Sequence, residues 1–301
     1  MRFDHTRIAI RERTYAEILD LALVILRHSG RKVVFAMLPL VAVMALLNHF
    51  MIGWMASWEY FPYESDFLPF RFVWNMGLLV FLELPLVSAV ATLYLGQYVF
   101  HEFPSLRLAW RELGSLILPM MIYSFVWRGP VVAILLLWNA EASAVISPQE
   151  FMLCLWFGLQ FTIRGRRPYL NEIILLERHP LRAKTKNQMT IRRRNETFHT
   201  RKFSVIFGRA FSTAIIVTLL AGAIAHGALF LNGVFFNSWR WTPLLVNVAI
   251  PASMWLAGVL ETVLRFLNYL DVRIRDEGWE IDLRLRTEAN REMQRMMGSA
   301  S

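Results

Sequence analysis

The stretch "VVFAMLPLVAVMALLNHFMIG", residues 33–53, decides the fold class of this chain. It contains 21 residues, none of which is Asp, Glu, Lys or Arg. About 20 apolar residues in a helix cross the hydrocarbon core of a bilayer, so this stretch predicts a transmembrane helix. The whole chain agrees, because 56% of its 301 residues are hydrophobic, whereas soluble domains average about 45–50%. We therefore predict an all-α fold, an integral membrane helical bundle.

Five further stretches are comparable, so the sequence predicts about six transmembrane helices. The fourth is the weakest, because only residues 151–163 of it are continuously apolar. The predicted helices cover residues 33–53, 75–100, 113–138, 143–163, 204–231 and 243–267. The predicted organisation is a cytoplasmic N-terminal segment (1–32), transmembrane helices 1–4 (33–163), a basic cytoplasmic loop (164–203), transmembrane helices 5–6 (204–267) and a cytoplasmic tail (268–301).

The distribution of Lys and Arg predicts the orientation of these helices. Of the 32 Lys and Arg residues, 27 lie in four segments on one side of the predicted membrane. These segments are 1–32, 101–112, 164–203 and 268–301. The loops on the other side contain only Arg71 and Arg240. Cytoplasmic loops carry an excess of Lys and Arg, so we predict that both termini are cytoplasmic. This orientation requires the fourth helix to cross the membrane.

The net charge of +9 has two interpretations. The basic loop at 164–203 could bind nucleic acid, but it lacks the interleaved aromatic residues that stack on bases. Lys and Arg at the inner surface are instead attracted to anionic lipids by about 1 kcal/mol each. We therefore predict the lipid bilayer and its anionic headgroups as partners and no nucleic acid, with room for a protein partner on the cytoplasmic side.

Two cytoplasmic segments are predicted to have structure of their own. The stretch "TYAEILDLALVILRHSG" (14–30) starts with Thr14 and Glu17 at capping-box spacing and ends at Gly30. This pattern predicts a separate amphipathic helix on the inner membrane surface. The stretch "RPYLNEIILLERHPL" (167–181) predicts a short apolar helix or strand. The basic run after it, 182–202, has no apolar periodicity and is predicted to be a flexible loop.

Catalytic motifs are absent from the sequence. It contains no G-x-x-x-x-G-K-[ST] phosphate-binding loop, no H-E-x-x-H metal motif and no G-x-S-x-G nucleophile motif. The single cysteine, Cys154, lies in an apolar stretch and is predicted to be a packing residue. We therefore predict no catalytic residue, no metal site and no cofactor, and we interpret the protein as non-enzymatic.

Three ionisable residues, His49, Glu83 and Arg128, lie inside predicted transmembrane helices. Counted from the inner ends of their helices at 1.5 Å per residue, all three lie at a depth of roughly 22–25 Å. Charges in hydrocarbon are costly and normally find partners. Because helices 2 and 3 are adjacent, Glu83 and Arg128 are predicted to pair. Such a pair either locks two helices together or belongs to a polar pathway or binding pocket.

The stretch "YLDVRIRDEGWEIDLRLR" (269–286) follows the last predicted helix. Its alternating apolar residues suggest a strand, but its continuity with a transmembrane helix favours two helical pieces broken at Gly278. The charged residues of its motif are expected at the inner interface, and the tryptophan in the headgroup layer. The motif Y-x-D-x-R-x-R-x-E-G-W consists of Tyr269, Asp271, Arg273, Arg275, Glu277, Gly278 and Trp279.

Together with "RPYLNEIILLER" (167–178), this tail motif resembles a family of uncharacterised bacterial multi-pass membrane proteins of the planctomycete type. In that family the last transmembrane helix runs into the same tail motif. The resemblance implies a protein of the bacterial cytoplasmic (inner) membrane. It implies no reaction.

Two functional hypotheses are consistent with the sequence. The absence of catalytic motifs and the structured cytoplasmic segments favour a non-enzymatic membrane scaffold or complex subunit of unknown biochemical activity. The alternative is a transporter or permease subunit that uses the polar layer of His49, Glu83 and Arg128.

Reporter fusions test the predicted topology. Reporters placed near Arg193 and Arg284 should be cytoplasmic, and reporters near Glu64, Ala144 and Asn237 should be on the opposite side, because of the Lys and Arg distribution. The measurement is the activity of paired reporters that function on only one side of the membrane. An outside reporter at Arg193 would contradict the prediction, because it would mean that the fourth helix does not cross.

Overall fold

The computed structural model describes residues 11–57, 68–100, 103–127, 129–140, 146–183, 188–200 and 203–278. Every regular element in these ranges is a helix, which confirms the all-α prediction for the described part of the chain. The α-helices are α1 (Tyr15–Ile52), α2 (Phe70–Val87), α3 (Ala89–Phe100), α4 (Leu106–Met120), α5 (Pro130–Trp138), α6 (Pro148–Arg166), α7 (Leu170–Glu172), α8 (Ile191–Thr200), α9 (Phe203–Phe236) and α10 (Ile250–Glu277). Short 3₁₀ or π-helical turns adjoin four of them, at Gly53–Ala56, Met121–Trp127, Ile173–Glu177 and Leu245–Ala249.

Four helical segments of the described chain are long and apolar enough to cross a membrane. A fifth is added if Leu106–Trp127 and Pro130–Trp138, which meet at an angle of 53°, form one bent span. The four are Tyr15–Ala56, Phe70–Val87, Phe203–Phe236 and Leu245–Glu277. The predicted fourth transmembrane helix is present as α6 but is not among them. Glu150, Arg164 and Arg166 lie within its 19 residues and lower its hydropathy.

The predicted surface helix at 14–30 is not a separate element, because α1 continues without a break through Gly30 to Ile52. Its start is confirmed: the hydroxyl of Thr14 accepts a hydrogen bond from the backbone N–H of Glu17, and the Glu17 carboxylate accepts one from the backbone N–H of Thr14. A glycine ends a helix when it adopts a positive φ. Gly30 instead stays helical and buried, and the Arg and Lys that follow it are good helix formers.

The N-terminus of α6 is defined by a second capping box, in which the Ser147 hydroxyl and the Glu150 carboxylate exchange hydrogen bonds with each other's backbone N–H. From this end, α6 runs beside α2 in the same direction. Glu150 is paired with Arg71 near the start of α2, and the rings of Phe157 and Phe81 are 5.1 Å apart further along.

The segment Leu170–Glu177 continues the path of α6 beside α3. Gly96 of α3 packs so closely against the Leu176 side chain that an added Cβ would be 2.7 Å from it. The chain from Glu150 to Leu176 therefore travels the same length as the chain from Arg71 to Gly96. Its one interruption, at residues 167–169, contains Pro168.

The predicted flexible loop at 182–202 is wrong for residues 191–200, which form α8. The reason is the residue types on its buried face: Ile191, Asn195, Phe198 and His199 recur at helical spacing, but two of the four are polar. A search for apolar periodicity misses such a face. The stretch 167–181, for which the sequence predicts a short helix or strand, is helical at Leu170–Glu177, and Glu172, Ile173 and Leu175 there have no exposed area.

The predicted end of the first helical piece at Gly278 is confirmed. Helix α10 ends at Glu277, and Gly278 adopts the left-handed conformation with a φ of 65°. Glycine pays no steric penalty there, since it has no Cβ. The helical alternative for 269–277 is therefore correct, and residues from Trp279 onward lie outside the described part of the chain.

Substitution of Arg71 tests whether its ion pair with Glu150 fastens α6 to α2. Arg71 donates from Nε and Nη2 to the two carboxylate oxygens at 2.9 and 2.6 Å, and only 5% of the Glu150 side chain is exposed. Arg71→Met leaves this carboxylate buried without its cation, which we expect to lower the free energy of unfolding by about 3 kcal/mol. The measurement is thermal unfolding in detergent.

The double variant Arg71→Met with Glu150→Gln should be more stable than Arg71→Met alone, because glutamine removes the charge and still serves the capping box. Arg11→Met is the control, since the ion pair of Arg11 with Glu17 is 57% and 38% exposed and should contribute less than about 1 kcal/mol. Losses that simply add in the double variant would contradict the coupling.

Candidate functional site

Pro85 interrupts the hydrogen bonds of α2 in the interior of the molecule. A proline has no N–H, so the carbonyl of Phe81 four residues earlier lacks its helical donor. The guanidinium of Arg164, from α6, donates to the carbonyls of Phe81 and Leu82 instead. Its central carbon also lies 4.5 Å from the Phe81 ring centroid. The amide of Asn171, after the break in the α6 path, donates to the carbonyl of Pro85.

Next to this interruption, Arg265 of α10 holds a cluster of buried charges. Its Nε donates to Glu172 at 2.7 Å, its Nη1 to both oxygens of Glu261 at 3.2 Å, and its Nη2 to the hydroxyl of Ser88 at 2.8 Å. Glu172 is 0% exposed and Arg265 is 8% exposed. Ser88 is the residue that separates α2 from α3. The cluster therefore joins α2, the Leu170–Glu177 segment and α10. Breaking a buried pair of this kind costs about 3–5 kcal/mol.

A second network, around Asp271, ties the ends of the described chain together. The Asp271 carboxylate accepts hydrogen bonds from the backbone N–H of Arg13 at 2.8 Å, from Arg209 at 2.8 Å and from Arg275 at 3.0 Å. The segment before α1 is thus fastened to α9 and α10.

A third network is centred on Glu177, which accepts hydrogen bonds from Arg194 at 2.6 Å and from the Tyr269 hydroxyl at 2.8 Å. Glu277 pairs with the same Arg194 and with Arg273. Burial disfavours the charged form of Arg194, but the hydrogen bonds and charges of Glu177 and Glu277 outweigh it and raise its pKa above the ordinary value. Arg194 therefore stays charged and joins α8 to α10.

These contacts show where the predicted tail motif lies. Within the described residues, Tyr269, Asp271, Arg275 and Glu277 bind other parts of the same chain, and Arg273 contacts Glu277 and Tyr269 within the motif. The motif up to Gly278 thus belongs to the fold. Trp279 is outside the described residues.

Of the predicted polar layer, the described residues include Glu83 and His49. Glu83 is fully buried and accepts a hydrogen bond from the Asn48 amide at 2.9 Å. His49 is exposed and makes no hydrogen bond or ion pair with Glu83. Arg128 lies outside the described residues, so its pairing with Glu83 stays a prediction.

Several charged residues of these networks were not predicted from the sequence, among them Arg164, Glu172, Arg209, Glu261 and Arg265. Glu261 and Arg265 lie four residues apart inside the predicted sixth transmembrane helix, and Arg209 lies inside the fifth. Opposite charges at this spacing on a helix contact each other, and this signal could have found the pair. Arg164 and Glu172 gave no comparable signal, because both fell in the predicted cytoplasmic loop.

A cleft of about 420 Å³ lies between α2, α6, α9 and α10, and its lining includes three charged residues, Arg164, Glu261 and Arg265. On α10 its lining runs from Ile250 to Asn268, which is about 27 Å of helix. Glu261 and Arg265 lie toward the Asn268 end of this lining, the polar end, and most of the remaining wall is apolar. Phe211 lines the cleft and is 49% exposed, so the cleft opens at the apolar surface of the molecule.

Comparisons of the chain with protein-family models, with curated proteins and with solved structures give no match. The resemblance of the tail motif to a bacterial membrane protein family therefore stays a prediction. In the part of the chain that the structure describes, no group of three or more His, Cys, Asp or Glu residues is placed to hold a metal ion.

The role of Arg164 can be tested against Pro85. Arg164→Met removes the donors for the Phe81 and Leu82 carbonyls, and we expect it to lower the free energy of unfolding by about 3 kcal/mol. In the Pro85→Ala background residue 85 has an N–H that can donate to the Phe81 carbonyl, so the same substitution should cost clearly less. The measurement is thermal unfolding in detergent for the four variants of the cycle.

Arg166→Met is the matched control, because Arg166 lies two residues further along α6 and is exposed. It should leave the unfolding temperature nearly unchanged. An equal loss for Arg164→Met with proline and with alanine at position 85 would show that Arg164 does not compensate for the proline.

Proposed function

We propose that this protein is a multi-pass membrane protein that binds an amphiphilic, lipid-like molecule in the cleft between α2, α6, α9 and α10. The observation that carries the proposal is the division of one cleft into a long apolar part and a charged end. Ligand sites in proteins are typically pockets of about 300–1,000 Å³ with apolar walls and a few polar groups that orient the ligand. The length of the cleft along α10 is close to the ~30 Å thickness of the hydrocarbon core.

Six crossings with both termini on the cytoplasmic side of a bacterial inner membrane form part of this proposal. The parallel paths of Arg71–Gly96 and Glu150–Leu176 support it, since two segments of equal length and direction have their ends at the same depths. On this basis α6 and the Leu170–Glu177 segment together form the fourth crossing, which is a broken one. Broken helices at membrane depth occur where they are buried in protein or line a cavity. Here the break adjoins the cleft.

The cleft favours the transporter or permease alternative over the scaffold hypothesis. The scaffold hypothesis relied on cytoplasmic segments that are available to a partner. In the described residues, the tail motif and α8 are instead engaged with the rest of the chain. A cleft that opens at an apolar surface is suited to a ligand that enters from the bilayer. The proposed role is binding, without a chemical step or a cofactor.

Blocking the cleft tests the proposal. Ala214 of α9 lines the cleft, and Ala214→Trp would fill part of it with a large side chain. We expect this variant to carry several-fold less lipid than the wild type, because the apolar part of the ligand loses its space. The measurement is native mass spectrometry of the protein released from mild detergent.

Ala223→Trp is the control, because Ala223 lies on the same helix, is exposed and does not line the cleft. It should retain as much bound lipid as the wild type. Equal amounts of lipid in both tryptophan variants would overturn the proposed site.

A further inference from the structure

We propose that the ligand is a zwitterionic phospholipid with a primary ammonium group, whose ammonium binds Glu261 and whose phosphate lies beside Arg164. This inference rests on the proposed function and specifies the headgroup. Three features support this inference. They are the balance of charges at the polar end of the cleft, the identity of the charged groups that face the cleft, and the number of hydrogen bonds that those groups can make.

Among the described residues, the charges at this end are balanced. Two guanidinium groups, of Arg164 and Arg265, lie beside two carboxylates, of Glu172 and Glu261. A ligand with a net charge would add an uncompensated charge to a site that is largely removed from water, and such charges are costly. A ligand that carries one positive and one negative group adds no net charge. The balance therefore favours a zwitterion.

Glu261 is the carboxylate that a ligand can reach. Its side chain is 23% exposed and lines the cleft, whereas Glu172 is fully buried and is bound to Arg265 at 2.7 Å. Both oxygens of Glu261 contact the same nitrogen of Arg265 at 3.2 Å. A carboxylate has about four acceptor positions. Glu261 can therefore accept hydrogen bonds from an ammonium and keep its contact with Arg265.

Arg164 supplies the cationic side of the site. It lines the same end of the cleft as Glu261 and is held in place by the carbonyls of Phe81 and Leu82. A guanidinium carries five donors in a plane and cannot lose its charge in a protein, which suits it to phosphate. Arg164 and Glu261 therefore provide a cation and an acceptor carboxylate in the lining of one cleft.

The same geometry disfavours the two common alternatives. The phosphate of a phospholipid without an ammonium group would lie near Glu261 with no positive group of its own to offset the repulsion. A choline headgroup is zwitterionic, but its quaternary ammonium has no N–H and cannot donate to Glu261. Choline sites use aromatic rings to bind this cation.

The test uses the full chain in detergent with an equimolar mixture of phosphatidylethanolamine, phosphatidylcholine and phosphatidylglycerol that have identical acyl chains. Native mass spectrometry measures which lipid stays bound. We expect about tenfold enrichment of phosphatidylethanolamine over phosphatidylcholine, the ratio that one charge-assisted hydrogen bond supplies.

Glu261→Gln should remove most of this preference while total bound lipid stays the same. Glu261→Asp keeps the carboxylate and should retain a preference.

Glu196→Gln is the matched control, since Glu196 is exposed on α8 and its side chain pairs with Arg192. It should leave the preference unchanged.

If the wild type binds the three lipids equally, or prefers phosphatidylglycerol, the headgroup inference is overturned and the proposed function stands. If Ala214→Trp and the wild type carry equal lipid, the proposed function itself fails. If Glu261→Gln does not fold, Glu261→Asp carries the test, because its shorter side chain withdraws the carboxylate from the ligand. A preference that is retained but weaker than in the wild type supports the inference, and a preference equal to that of the wild type overturns it.

Discussion

The hydrogen bonds from Arg164 to the backbone of α2 are the constraint on which the rest of the structure depends. Pro85 leaves the Phe81 carbonyl without a helical donor, and nothing in a lipid environment replaces a missing donor. The guanidinium of Arg164 does so and thereby sets how far α6 can travel along α2. Helix α6 then ends, and the chain is helical again from Leu170. In this second piece Asn171 donates to the Pro85 carbonyl and Glu172 accepts from Arg265.

This arrangement explains why so many charges are tolerated inside an apolar molecule. Buried ions are costly to desolvate, and they are retained only where partners satisfy them. Glu172 meets Arg265, which also donates to the Ser88 hydroxyl, and Asp271 meets Arg209 and accepts a further hydrogen bond from the backbone N–H of Arg13. The networks also fasten segments that hydrophobic packing alone does not orient. In a bilayer the lipid is as apolar as the helix faces, so polar contacts carry much of the specificity between helices.

The sequence predicted well what depends on neighbouring residues. Capping at Thr14 and the helix end at Gly278 were both correct, because each is a local backbone effect of one residue type. It predicted less well where a tertiary partner changes the outcome. Gly30 was expected to end a helix but lies inside one, and Ile191–Thr200 was expected to be a flexible loop but is α8. Both outcomes depend on tertiary packing, which the spacing of apolar residues in the sequence does not reveal.

By itself the sequence determined that the described chain contains long apolar helices, since runs of about 20 residues without charge are suited to helices that cross a membrane. It also placed the basic residues in a few segments, which predicts the orientation. Only the tertiary structure decided which charges meet. Arg164 and Glu172 are eight residues apart and both fell in the predicted cytoplasmic segment 164–203, yet Arg164 contacts α2 and Glu172 contacts α10, because the path of α6 continues beyond the interruption at Pro168. A charged cleft arises from helices distant in the sequence, and its chemistry exists only once they pack.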